Sequence, residues 1–333
     1  MTTTAVLDKP VFIVGVPRSG TTLLSSLLSA SPEVVIAPEM HLLTTWRADY
    51  GFLDLTQRDD FVFFVDKFLA SERFALLELD AEPVRSRLIS LQHRSYTSVL
   101  AVLLDAYRSS KASPRVGEKT PGQFACVPEL LRAFPDARII WMVRDPRAVI
   151  SSLLTVPFAS PFLGHKATRW NHAQRLLSAI NDERVLQLRY EDLVLDLGAA
   201  VTKLAAFANV TLPVDVGTTS RPDSVGGTTY DHVAWGTEHR DKAMQPVSPA
   251  SLTKWQTALT PLQIAMIDAR TGSVARQYGY EPHPTDFEPD AVQAAIAADQ
   301  RRYYLRRLVP AARSRTIDHP LAQKLRYRLT GNG

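Results

Sequence analysis

The sequence has little cysteine and no long apolar run. Its 333 residues include a single cysteine, Cys126, which excludes an internal disulfide and gives no reason to expect an oxidising compartment. The longest apolar runs, such as VFIVGV and IIWMV, are far shorter than the roughly 20 residues that a membrane-spanning helix needs. The first residues, MTTTAVLDKP, lack the basic flank and apolar stretch of a signal peptide. We therefore expect a soluble protein of the cytoplasm.

The sequence also has few residues at metal-ligand spacing, and it has no excess of basic over acidic residues before residue 301. With one cysteine, and with His165, His232 and His319 at no ligand spacing, the sequence predicts no metal site. The net charge of +4 comes from residues 301–333, where nine Arg or Lys stand against one Asp. Because the rest of the chain is slightly acidic, we expect no nucleic-acid partner.

Short buried strands alternate with helices along the chain. Residues 11–14 and 137–143 have the continuous apolar pattern of buried strands, and the leucines of TTLLSSLL recur at helical spacing. Segment 59–108 predicts two or three helices, and VGEKTPGQ (116–123) predicts a turn-rich loop. This alternation is typical of an α/β, P-loop-like three-layer fold, in which helices flank a central parallel sheet. We predict one such domain over 1–284.

Residues 285–333 predict a basic helical extension, because leucines recur every four residues between Arg and Lys side chains. Three roles stay open for it. It could pack on the core, bind an acidic membrane surface or contact a partner subunit. The sequence predicts no oligomeric state.

The stretch GVPRSGTT, residues 15–22, nearly matches the phosphate-binding loop GxxxxGK[ST]. Gly15 and Gly20 are in register and Thr22 fills the hydroxyl position, but Thr21 stands where the lysine is expected. Free N–H groups at the start of the following helix, together with the loop hydroxyls, favour an anion. Since the missing lysine would neutralise the β- and γ-phosphates of a triphosphate, kinase chemistry is disfavoured.

The loop resembles the 5′-phosphosulfate loop of the sulfotransferases that use 3′-phosphoadenosine 5′-phosphosulfate (PAPS). Two further motifs of that family follow in order. VRDPRAVISS supplies Arg144 and Ser152 at the spacing that holds the 3′-phosphate there, and LRYEDLV supplies Tyr190, which lies near the adenine. The resemblance spans residues 11–195 and is greatest to the tyrosylprotein and bacterial branch. It implies that PAPS is the co-substrate and that the 5′-phosphosulfate is bound by Arg18, Ser19, Gly20, Thr21 and Thr22.

The resemblance also implies candidates for the chemistry. Sulfuryl transfer needs a base for the acceptor and a cation near the transferring group. Glu39, in the loop after the second predicted strand, matches the glutamate base of the tyrosylprotein enzymes, and His41 is the competing base. Lys119, in GEKTP, matches the lysine that contacts the sulfate or bridging oxygen. The late loop at residues 237–242 matches the family poorly.

Three functions stay open from the sequence. The favoured one is a PAPS-dependent sulfotransferase that acts on a hydroxyl of a small metabolite, glycolipid or carbohydrate, without a metal. The alternatives are a P-loop kinase or nucleotide hydrolase, and a nucleotide-binding protein without catalysis. The apolar residues of HLLTTW and VPFASPFLG predict either an apolar acceptor wall or part of the core.

Overall fold

Five parallel strands form one central sheet in the computed structural model, which describes residues 7–156, 159–213 and 248–308. The strand order is β2-β3-β1-β4-β5, and each neighbouring pair is parallel. The strands are β1 (Val11–Gly15), β2 (Val34–Ala37), β3 (Arg115–Lys119), β4 (Arg138–Val143) and β5 (Val185–Arg189). The chain leaves β1 for one side of the sheet and later returns to the other, so the loop after β1 lies where ligands bind in such sheets.

Helices join the strands and cover both faces of the sheet, so the predicted three-layer α/β fold is confirmed. The α-helices are α1 (Thr21–Leu28), α2 (Arg47–Tyr50), α3 (Arg58–Leu69), α4 (Glu72–Ala75), α5 (Ala81–Ile89), α6 (Tyr96–Ser110), α7 (Val127–Ala133), α8 (Pro146–Leu154), α9 (Leu163–Ser178), α10 (Tyr190–Leu195), α11 (Leu197–Ala208), α12 (Trp255–Ala258), α13 (Pro261–Ala275) and α14 (Pro289–Leu308). A π-helical turn covers Leu42–Trp46, and 3₁₀ turns cover Pro121–Cys126, Pro249–Ser251 and Arg276–Tyr278.

Side chains of β1 alternate between two cores, one on each face of the sheet. Val11 and Ile13 pack with leucines of α1, α10 and α11, while Phe12 and Val14 join the larger core beneath α3, α6 and α7. A third cluster joins α8 and α9 to α12, α13 and α14. Because both faces of β1 are covered, its sequence is continuously apolar rather than alternating.

One prediction of local structure is wrong and another is incomplete. Residues of the expected loop VGEKTPGQ form β3, a buried inner strand of the sheet. Gly117 allows close approach of the backbones, because a Cβ there would lie 2.6 Å from the carbonyl oxygen of Val11. Glu118 and Lys119 are charged yet buried, so the strand lacks the apolar pattern that would predict it. The stretch expected to hold two or three helices contains four, α3 to α6.

The last described element, α14, is a 20-residue helix that lies against α9 and α13. Tyr303 contacts the rings of Phe162 and His165. The domain boundary near residue 284 stays a prediction, and the basic residues 309–333 lie outside the described chain. Within the described ranges, no helix combines the length and apolarity needed to cross a bilayer.

Candidate active site

The loop of residues 16–20 joins β1 to α1 and bends through two left-handed residues. Arg18 and Gly20 have φ angles of 77° and 98°. A Cβ on Gly20 would lie 2.4 Å from Cδ2 of Tyr190, so the position needs glycine both for its conformation and for space. The ring of Tyr190 therefore lies directly behind the loop and supports its shape.

The start of α1 presents hydrogen-bond donors to the space beside this loop. The first backbone N–H groups of an α-helix have no partner within the helix. Thr21 and Thr22 form the first turn. The side chain of Ser19 is buried, and its Oγ has no hydrogen-bond partner in the described chain. Together these groups make a site suited to a phosphate or sulfate.

The loop after β1 meets the end of β4 and the helix α8. Arg18 is 126 residues from Arg144 and 134 residues from Ser152 in the chain, yet it contacts both. Nε of Arg18 donates to Oγ of Ser152 at 2.8 Å, and Nη1 of Arg144 donates to the Arg18 carbonyl at 3.1 Å. Asp145 caps α8 by accepting from the backbone N–H of Arg147 at 2.8 Å. Arg144 is thus fixed at the end of β4, beside the loop.

Tyr190 and Ser251 complete this side of the site. The guanidinium of Arg144 lies 4.1 Å above the Tyr190 ring. The Tyr190 hydroxyl and Ser251 Oγ are 2.8 Å apart, and Nη2 of Arg144 donates to the Ser251 carbonyl at 2.9 Å. Nε of Arg144 is buried and has no partner among the residues described. Sequence reasoning missed Ser251, which begins the stretch SLTKW. The late loop at 237–242 lies outside the described residues.

Arg147 anchors the segment that carries Ser251. Its guanidinium pairs with Asp145 at 2.8 Å and Asp268 at 3.5 Å, and it lies 4.4 Å above the ring of Trp255. Burial lowers the pKa of Arg147, but the hydrogen bond and charge of Asp145 outweigh it, so the pKa is raised. This arginine is therefore structural, because its charge is already balanced inside the protein.

Glu39 lies between a lysine and a histidine after the end of β2. Lys119 Nζ donates to Glu39 Oε1, and His41 Nε2 lies 3.0 Å from Glu39 Oε2. The side chains of Lys119 and Glu39 are only 2% and 13% exposed. Burial raises the pKa of Glu39, but the charges and hydrogen bonds of Lys119 and His41 outweigh it and hold that pKa well below its ordinary value. Glu39 is therefore ionised at neutral pH.

Glu118 precedes Lys119 and faces the opposite side of the sheet. Its side chain is fully buried, and Thr120 Oγ1 donates to Oε1 at 2.5 Å. Burial raises the pKa of Glu118 to about 7, which the hydrogen bond from Thr120 only partly opposes. Glu39 and Glu118 therefore have opposite pKa shifts, because Glu39 has the cation of Lys119 beside it.

The arrangement is a loop suited to an anion, a half-buried arginine and an ionised carboxylate at one edge of a parallel sheet. A model of the sulfotransferase family matches residues 10–214, more than half of the chain. The chain belongs to the sulfotransferase family. The family resemblance seen in the three motifs is thereby confirmed, and the chain is an enzyme of that family rather than a P-loop kinase.

This sulfotransferase is 24% identical over 303 residues to protein-tyrosine sulfotransferase A of Caenorhabditis elegans, covering 87% of this chain and 72% of that protein. It is 26% identical over 332 residues to omega-hydroxy-beta-dihydromenaquinone-9 sulfotransferase Stf3 of Mycobacterium bovis, covering 88% and 80%. The sulfotransferase domain of the Synechococcus PCC 7002 olefin synthase superposes with a TM-score of 0.57 at 22% identity, covering 83% of this chain and 97% of that one. That structural likeness shows the fold.

Proposed function

We propose that this sulfotransferase moves the sulfuryl group of PAPS to a hydroxyl of its acceptor, with Glu39 as the base. The observation that carries the proposal is the buried Glu39–Lys119 ion pair. It lies after β2 and β3, at the same edge of the parallel sheet as the anion-binding loop after β1. A base and a cation beside an anion site are what in-line sulfuryl transfer requires.

The described residues fit the two ends of the PAPS molecule. The loop of residues 16–20 and the threonines of α1 would hold the 5′-phosphosulfate through N–H and hydroxyl groups. Arg144 and Ser152 would hold the 3′-phosphate, since a guanidinium binds phosphate by charge-assisted hydrogen bonds. Two buried atoms without partners in the described chain, Ser19 Oγ and Arg144 Nε, support this assignment. Tyr190 would lie near the nucleotide and keep Arg144 in place.

Glu39 would accept the proton of the acceptor hydroxyl as its oxygen attacks the sulfur. The new S–O bond forms while the S–O bond to the nucleotide breaks, and 3′-phosphoadenosine 5′-phosphate (PAP) leaves with the electron pair. Lys119 would stabilise the negative charge that builds up on the transferring group and the departing oxygen. Losing one such aimed donor typically lowers kcat by about 10²–10³.

His41 is the second candidate for the base, because its Nε2 contacts the same carboxylate at 3.0 Å. If Glu39 is the base, Glu39→Gln abolishes turnover and His41→Asn retains a substantial part of it. If His41 is the base, the order of the two losses reverses. Turnover is measured as PAP released from PAPS in the presence of a panel of alcohols and phenols.

The first test is thermal stabilisation of the purified protein by PAP, compared with ADP and with ATP with and without magnesium. A ligand at 100 times its Kd stabilises the folded state by about 2.7 kcal/mol, which raises the Tm by several degrees. We expect stabilisation by PAP without magnesium, lost in Arg144→Ala and kept in Arg132→Ala, an exposed arginine on α7. Stabilisation by magnesium–ATP and none by PAP contradicts the proposal.

Two further outcomes separate binding from catalysis and test the tail. PAP binding together with turnover that Glu39→Gln and Lys119→Met leave unchanged would indicate that these residues are not catalytic. The cytoplasmic location and a contact of the basic extension, residues 285–333, with an acidic membrane stay predictions. Deleting residues 301–333 should abolish sedimentation with anionic liposomes, and unchanged sedimentation would refute the contact.

A further inference from the structure

The peptide group between Arg144 and Asp145 is hydrogen-bonded at both of its polar atoms. Its carbonyl oxygen accepts from Nε1 of Trp170, a fully buried side chain on α9, at 3.0 Å. Its N–H donates to Oε1 of Glu191, on α10, at 3.1 Å. Side chains from two different helices therefore fix the plane of the peptide that directly follows Arg144.

The register of the sheet brings Glu191 to this peptide. Strands β4 and β5 are parallel, and Val143 is paired with Arg189. Two residues further along each chain, Asp145 lies beside Glu191. Because Asp145 precedes the first turn of α8, its N–H has no partner within that helix. Glu191 thus supplies an acceptor that the helix itself does not provide.

A buried tyrosine holds the Glu191 carboxylate in place. The hydroxyl of Tyr280 donates to Oε2 of Glu191 at 2.6 Å, and Tyr280 is only 5% exposed. Burial and the charge of Glu191 raise the pKa of Tyr280, so its hydroxyl stays protonated and remains a donor at neutral pH. Both oxygens of the carboxylate therefore have a fixed partner, and one of these partners is the peptide after Arg144.

Consecutive residues of α10 hold the two ends of Arg144. The guanidinium lies 4.1 Å from the centre of the Tyr190 ring, while Glu191 holds the backbone that follows. Nε of Arg144 is buried and has no partner among the described residues, so it remains able to donate to a ligand. A group that binds a ligand must be held within about 0.5 Å of its binding position, and hydrogen bonds behind that group hold it there.

We propose that Glu191 is a positioning residue, which fixes the backbone of Arg144 so that the guanidinium binds the 3′-phosphate of PAPS. This role rests on the proposed function, in which Arg144 and Ser152 bind that phosphate. Glu191 acts through Arg144 and does not itself contact the nucleotide. It therefore controls the preference for a nucleotide with a 3′-phosphate rather than sulfuryl transfer itself.

The test compares two nucleotides that differ only in the 3′-phosphate, PAP and adenosine 5′-monophosphate (AMP). Isothermal titration calorimetry gives the Kd of each for the wild type and for two variants of Glu191. A hydrogen bond to a charged group typically changes an affinity by about tenfold or more. We therefore expect Glu191→Ala to weaken PAP binding at least about tenfold and to leave AMP binding within about threefold of the wild type. Glu191→Gln keeps an oxygen that can accept from the Asp145 N–H, so its PAP affinity should stay within about threefold.

Matched controls separate this role from a general loss of stability. Glu33 is half-buried like Glu191, and its Oε2 accepts from a backbone N–H at 2.6 Å. It precedes β2, at the opposite edge of the sheet, so Glu33→Ala should keep the wild-type ratio of the two Kd values. Tyr280→Phe removes the hydroxyl that donates to Glu191 and should reduce the preference for PAP. Tyr278→Phe also removes a buried tyrosine hydroxyl, which donates to the Gln174 carbonyl at 2.9 Å, and should leave the preference unchanged.

Equal losses of PAP and AMP affinity in Glu191→Ala would show a general structural role and overturn the proposal. A Glu191→Gln variant as weak as Glu191→Ala would also overturn it, and so would equal preferences in Tyr280→Phe and Tyr278→Phe. The tyrosine pair decides the question if Glu191→Ala does not fold. In all these cases the wild type still prefers PAP and Arg144→Ala loses that preference, so the proposed function stands. A wild type that binds PAP no more tightly than AMP would instead overturn the proposed function, and the role of Glu191 with it.

Discussion

Replacing Lys119 by methionine should destabilise the protein strongly, because it leaves the Glu39 carboxylate in a site built for an ion pair. Both side chains are largely buried, at 2% and 13% exposed. Removing one partner of a buried pair typically costs about 3–5 kcal/mol. Glu39 keeps some solvent and its contact with His41, so we expect a loss of about 2–3 kcal/mol in the free energy of unfolding at pH 7.

The double variant Glu39→Gln/Lys119→Met should recover most of this loss. Replacing both members of a buried pair is often nearly neutral, because no uncompensated charge remains. We expect the double variant to lie within about 1 kcal/mol of the wild type, and the loss measured for the single variant Glu39→Gln completes the cycle that gives the coupling free energy of the pair. The matched control is Lys111→Met. Its partner is Glu78, and the two side chains are 38% and 69% exposed, so the loss should stay below about 1 kcal/mol.

Urea unfolding at several pH values measures these differences. The pKa of Glu39 is lower in the folded state than the ordinary value of 4.5, so the pair contributes stability above pH 4.5 and loses it as the pH falls further. The gap between wild type and Lys119→Met should therefore narrow in acid. The reasoning is refuted if Lys119→Met loses no more stability than Lys111→Met, or if the double variant is less stable than Lys119→Met.

Two further predictions concern the loop and the buried acid beside it. Gly20→Ala places a Cβ 2.4 Å from the Tyr190 ring at a φ of 98°, so we expect the affinity for PAP to fall by at least about tenfold. The control Gly198→Ala, in α11, should keep the wild-type affinity. Equal affinities in the two variants would contradict the packing argument. Because the pKa of Glu118 is raised, the wild type should lose stability as the pH rises from 4.5 through about 7, by a few kcal/mol at most. Glu118→Gln should flatten this pH dependence of the free energy of unfolding, measured with urea. An unchanged pH dependence in the variant would contradict the raised pKa.

The candidate site was predictable from sequence wherever one local segment carries both the structure and the chemistry. The loop after β1 needs only a buried strand, two glycines and a helix start. Asp145 at the start of α8 is a local cap as well. The buried strand β3 was not predictable, because Glu118 and Lys119 interrupt its apolar pattern.

By itself, the sequence determined the family, the glycine loop between β1 and α1 and the identity of the groups available for chemistry. Only the tertiary structure decided which charges meet. Glu39 and Lys119 are 80 residues apart in the chain, and Arg18 and Ser152 are 134 apart. They come together because parallel strands less than about 5 Å apart end at one edge of the sheet, whatever length of chain separates them. Burial at that edge raises the pKa of Glu118, whereas the charges and hydrogen bonds of Lys119 and His41 outweigh burial at Glu39 and lower its pKa.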